Sequence, residues 1–180
     1  MKNFISLFVI GILCPQIMNA QTVTPLEVAP NSTIEVKGDL KDGNIIEDLS
    51  WAWSSSNACF PETQKQKFTG NHVLYTTDLP KYSEMEIRVI PDDPKANFSL
   101  YAYEVGAAGD LAVVPDLPRC IRCEVDHKWD RPKRGKTQDH TRVVTDILAI
   151  NNPYRVVIGV VGAEGLLEGG FTLEVNLKTR

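Results

Sequence analysis

After residue 20 the chain has no long apolar run, no internal repeat and no low-complexity tract. The first absence excludes a membrane-spanning helix in that region, because a bilayer core requires about 20 apolar residues in a row. The other two leave no reason to divide the chain into further domains. No long stretch keeps a helical period either, so helices do not dominate. Histidine is scarce, with three in 180 residues. No Ser stands in a G-x-S-x-G context; Ser54 to Ser56 and the histidines supply residue types for a serine hydrolase but not the presenting turn. Asp92 and Asp93, the nearest thing to a carboxylate pair, lie in a Pro-bounded turn that explains them structurally. A non-enzyme is expected.

The N-terminus has a strong local pattern. MKNFISLFVIGILCPQIMNA carries one early base, Lys2, an apolar run from Phe4 to Leu13, and Ala20 before the polar Gln21. That is the pattern of a secretory signal peptide over residues 1–20, cleaved after Ala20. Cys14 offers a lipoprotein alternative, but Leu13 before it is bulky for such a signal, and soluble export is preferred. The expected location is secreted, periplasmic or cell-envelope. Removing residues 1–20 takes away one base and no acid. It leaves 18 Lys and Arg against 23 Asp and Glu, a formal net charge of −5. Nucleic acid is excluded as an expected partner on that balance.

Short runs of alternating apolar and polar residues recur between clusters of Pro, Gly, Asn and Asp. The alternation predicts strands over 33–37, 49–53, 72–77, 85–90, 98–105, 141–148, 154–161 and 170–178. Leu49, Trp51 and Trp53 alternate within the second of these, which would put both tryptophans on one strand face. About eight strands in a chain of this size imply an all-β, antiparallel two-sheet sandwich with jelly-roll-like connections. Residues 21–32 read as a lead-in and 33–180 as the sandwich domain. The pattern lapses over 106–140, a long insertion of the kind that tends to serve function.

The strand texture points to a family. PYRVVIGVVGAEGLLEGGFTLEVNLK resembles the C-terminal hairpin of the bacterial pre-peptidase C-terminal domain family, with its Gly-rich turn and closing G-[YF]-T-L-x-V strand. FTGNHVLYTTDLP followed by MEIRVIPDDPKANFSLYAY resembles the middle of that family, and the likeness covers most of residues 30–178. The resemblance implies a β-sandwich outside the cytoplasm that lacks catalytic residues. It would be an accessory to a secreted enzyme that assists export or engages a surface or polymer. Collagen-binding relatives use calcium near the start of the domain. Glu35, Asp39, Asp42, Glu47 and Asp48 supply oxygens there, without a spacing that carries those ligands over.

The insertion holds RCIRCEVDHKWDRPKRGK, residues 119–136. Cys120 and Cys123 have the spacing of a small disulfide or a redox pair, and in an exported protein a structural clip is the preferred reading. Cys59 is a further thiol that could reach this loop and pair with either, and sequence leaves the pairing open. A metal reading groups Cys120, Cys123, His127 and His140 as four zinc ligands. Haem attachment would need histidine where Glu124 stands. Arg119, Arg122, Lys128, Arg131, Lys133, Arg134 and Lys136 give the stretch a local net charge of +4 beside Glu124, Asp126 and Asp130. The rest of the chain after residue 20 therefore carries −9. A basic patch with Trp129 among its cations suits an acidic polysaccharide, a phosphorylated lipid headgroup or an acidic protein. The expected function is that of an exported, non-catalytic binding module, with a metal or thiol-redox role and a purely structural envelope role as alternatives.

Overall fold

The structure, a computed structural model, describes residues 21–107 and 112–180. The expected signal peptide and Cys14 lie outside the described residues.

Two sheets face each other. The first contains strands β1 (Val23–Pro25), β3 (Asn44–Ile45), β4 (Asn71–Leu79), β6 (Phe98–Glu104), β7 (Arg122–Asp126) and β9 (Tyr154–Gly162). Its order is β1-β4-β9-β6-β7, with β3 also paired to β4. The second contains β2 (Ser32–Asp39), β5 (Ser83–Pro91), β8 (Arg142–Ala149) and β10 (Gly170–Thr179), in the order β2-β10-β5-β8. Among the described strands, only β3 to β4 and β6 to β7 are successive strands of one sheet; every other pair of successive strands lies in different sheets. The all-β sandwich expected from the sequence is thus the observed architecture. The first sheet is mixed because β1 runs parallel to β4, whereas both sheets were expected to be antiparallel.

The differences from the expected strands are local. β1, β3 and β7 carry too few residues for their alternation to register. The expected strand over 49–53 is instead a 3-10 turn at Ser50–Trp53. The Asp48 carboxylate accepts the Ser50 N–H at 2.8 Å, and the Ala52 N–H donates to the Leu49 carbonyl. These local bonds favour a turn over a ladder. Trp51 and its neighbour Ala52 are both buried, which a strand with one covered face could not achieve.

The two sheets differ in what covers them. In the second, β5 and β10 alternate buried and half-buried residues, the mark of one wet face. In the first, every residue of β6 is buried, as is β9 from Val156 to Gly162. Two apolar clusters explain this. One lies between the sheets and includes Leu40, Met85, Ile87, Val89, Phe98, Leu100, Ile158, Phe171 and Leu173. The other covers the outer face of the first sheet and includes Trp51, Phe60, Phe68, Leu74, Tyr101, Tyr103, Val114, Leu117 and Val157. Residues 46–68 and 112–125 fold over that face. Each fully buried large apolar side chain contributes about 1.5–3 kcal/mol relative to exposure, so the outer layer is a second core and not a draped loop.

One glycine is required by this arrangement. Gly159 of β9 sits directly across from Tyr101 of β6. A Cβ built on Gly159 would penetrate the Tyr101 ring.

Candidate functional site

The insertion is anchored at its middle. Strand β7 adds an edge to the first sheet by pairing with β6, Tyr103 opposite Cys123 and Leu100 opposite Asp126. Its outer side, with Glu104 at the end of β6, meets β8, the edge of the second sheet, through side chains. Asp126 accepts the Val143 N–H at 2.9 Å, Glu104 accepts the Leu148 N–H at 2.8 Å, and Arg122 donates to the Asp146 carbonyl. Carboxylates thereby occupy backbone donors that an edge strand would otherwise present to other chains. Burial pushes the Glu104 carboxyl up from its ordinary value.

The disulfide is not the expected clip between Cys120 and Cys123. Cys123 is bonded to Cys59, with Cα atoms 5.2 Å apart, and Cys120 is free. The reason is geometric. Cys123 lies within β7, facing the second core, where residues 46–68 bring Cys59 against it. Cys120 precedes the strand and is held by its N–H on the Ser56 carbonyl at 3.0 Å. Its thiol is half-buried, and burial pushes its pKa up. A reactive cysteine requires the opposite shift, so the expected redox alternative has neither a Cys120–Cys123 bond nor a stabilised thiolate.

The four expected zinc ligands are likewise not assembled. Cys123 has spent its sulfur on Cys59. His140 takes a guanidinium N–H of Arg142 at its Nδ1, 2.9 Å away. Burial and then the Arg142 charge hold the pKa of His140 down. His127 donates Nδ1–H to the Lys128 carbonyl at 3.0 Å and sets its ring edge-on to Phe68. Among the described residues, no group of three or more His, Cys, Asp or Glu could hold a metal ion.

The basic residues, adjacent in sequence, fall into two sets. Arg119 and Arg122 lie at or before the start of β7, and Lys128 to Lys136 follow its end. From Arg122 to Lys128 an extended chain spans about 20 Å. Arg122 is committed to Asp146 and approaches Glu124 at 3.6 Å. The other set forms the loop after β7, whose base is clamped. Lys67 donates to the Lys128 carbonyl at 2.7 Å and pairs with Asp130, Gln64 donates to Asp130 at 3.3 Å, and Gln138 accepts the Trp129 N–H at 2.9 Å. The Lys67 contact holds the Asp130 carboxyl below its ordinary pKa. Lys67 and Gln64 were not legible as site residues, because nothing local marks a contact made across more than 60 positions, and Gln138, nine positions from Trp129, stands in no motif.

Beyond the clamp, Arg131, Lys133, Arg134 and Lys136 are exposed. Among the described residues, no carboxylate pairs with any of the four. Lys133 stands over the Trp129 ring, 4.1 Å from its centroid. A shallow depression of about 620 Å³ runs beside them, lined by Val125, Asp126, His127, Trp129, Asp130, Arg131, Pro132 and Lys133. Charge without local partners, next to an aromatic ring and on a fixed base, is an arrangement for holding an anion that also offers an apolar or ring face.

No protein-family model and no curated protein sequence matches the chain. Among solved structures it is similar to a periplasmic lysozyme inhibitor of g-type lysozyme from Aeromonas hydrophila, at 12% identity and TM-score 0.44, over 87% of this chain and 96% of that one. It is also similar to a surface-associated copper-binding protein of Methylomicrobium album, at 12% identity and TM-score 0.44, over 88% and 98% of the two chains. A pre-peptidase C-terminal domain of a Bacillus anthracis collagenase is a further such structure, at 13% identity and TM-score 0.39, over 89% of this chain and 98% of that one.

Proposed function

We propose that the protein is an exported, non-catalytic binding module that engages an anionic surface polymer through the loop 128–136. The observation that carries this reading is the set of four exposed cations without carboxylate partners, Arg131, Lys133, Arg134 and Lys136, beside Trp129 on a clamped base. Sugar rings stack on indole faces, and acidic groups on such a polymer would meet the cations. The disulfide supports residence in an oxidising compartment. Among the described residues, no helix is long and apolar enough to cross a membrane.

The test is retention of the protein on immobilised anionic polysaccharide, eluted with salt, for the wild type and the triple variant Lys133→Ala, Arg134→Ala, Lys136→Ala. Earlier elution and a shallower salt dependence are expected from the loss of three cations. Identical elution profiles would remove the loop from the function.

A further inference from the structure

A second cleft, separate from the basic loop, has the opposite character. It encloses about 840 Å³ at the border of the outer core. Its floor is apolar, from Ile46, Trp51 and Val114, all buried. Ile45, a large apolar side chain left 49% exposed, stands on its rim with Val113 and Pro115. Three exposed carboxylates, Glu47, Asp48 and Asp116, share that rim, and among the described residues no Lys, Arg or His is in the lining. Among the described residues, none of the three pairs with a cation. Asp48 is held ionised by the Ser50 N–H, which lowers its pKa.

We propose that this cleft binds a cationic segment of extended polypeptide, in which basic side chains alternate with apolar ones. The sign of the rim excludes anions and nucleic acid. The size, within the range of about 300–1,000 Å³ usual for ligand sites, and the apolar floor exclude a bare metal ion or small ammonium ion as the preferred occupant. An extended peptide presents basic and apolar side chains at alternate positions. Its basic side chains meet Glu47, Asp48 and Asp116, and its apolar ones meet Ile45, Ile46 and Val114. This goes beyond the anion-binding reading of the loop and does not depend on it.

The experiment uses the mature chain and a short blocked peptide of alternating leucine and lysine, followed by titration calorimetry and by backbone NMR shifts. Saturable binding is expected, with shifts concentrated at residues 45–51 and 113–116. A peptide with glutamate in place of lysine, and one with serine in place of leucine, are expected to bind at least about tenfold more weakly. The double variant Glu47→Gln, Asp116→Asn changes two exposed groups and keeps the fold, which near-ultraviolet dichroism would verify; its affinity for the leucine–lysine peptide should fall about tenfold. Unchanged affinity in the double variant, or shifts confined to other residues, would overturn the proposal. So would concentration-dependent self-association of the free protein that Lys133→Ala and Arg134→Ala abolish, because the occupant would then be the basic loop of a second copy.

Discussion

The Tyr101 hydroxyl donates to Nδ1 of His72 across 3.1 Å, and Nε2–H of the same imidazole donates to the Phe68 carbonyl at 3.0 Å. Both nitrogens are thus used by the neutral ring, and protonation would place an unpaired charge inside the outer core. Burial is the main reason that the His72 pKa is pushed down to about 4. The unfolded chain binds this proton near pH 6.5 and the folded chain only near 4. The contribution of neutral His72 to stability is therefore complete above pH 6.5 and lost as pH falls toward 4. It amounts to on the order of 3 kcal/mol. Urea midpoints measured across this window should fall more steeply for the wild type than for His72→Gln; parallel curves would show that His72 is not the titrating group.

The bond between Cys59 and Cys123 closes a loop of sequence separation 64. In the chain-entropy account such a closure stabilises by about 4 kcal/mol. Cys59→Ser and Cys123→Ser should each lower the unfolding free energy by about 2–5 kcal/mol, and Cys120→Ser should leave it nearly unchanged. Mass analysis of alkylated protein provides the check: among the cysteines of the described residues only Cys120 is available without reductant, and it should label slowly until denaturant is added.

Gly159 and Tyr101 define a contact that tolerates no added atom. Gly159→Ala must displace the Tyr101 ring, and with it the bond to His72. Overpacking of this kind costs about 1–3 kcal/mol, measurable as a lower denaturant midpoint with an unchanged slope. The same change at Gly135 meets no neighbouring atom; its φ of +72° strains any L side chain there, but that cost stays in the exposed loop and should leave the core undisturbed.

The seam between the sheets can be opened one bond at a time. Asp126→Ala removes the acceptor for the Val143 N–H, and a partly buried donor left unpaired costs about 1–3 kcal/mol. Hydrogen exchange at Val143 should accelerate while exchange at Leu148, still bonded to Glu104, changes less. Equal acceleration at both would mean that the seam opens as a unit.

The long strands were legible because alternation or a continuous apolar run survives in each, from MEIRVI to GFTLEVNLK. The outer core was not. Its covering turn around Trp51 and Trp53 imitates a strand, since two tryptophans two positions apart fit either period. The pairing of Cys123 was hidden for a different reason: C-x-x-C is visible locally, whereas Cys59 reaches β7 only after the chain has crossed between sheets. The basic loop was visible as charge, but its division on either side of β7 follows from a strand of five residues, shorter than periodicity can resolve. The acidic cleft is drawn from two segments far apart, around Glu47 and around Asp116, and neither is unusual alone.

The position of Cys123 within β7 has a mechanical consequence. Tension on the loop 128–136, once past the clamp at Lys67, would load β7 from its Asp126 end and peel it from β6 pair by pair. The peel could release Asp126, Val125 and Glu124, but at Cys123 it would meet a covalent bond to Cys59 on a different part of the chain. Tension would then pass into the layer over the first sheet, and β7 would hold at forces that would strip an unlinked edge.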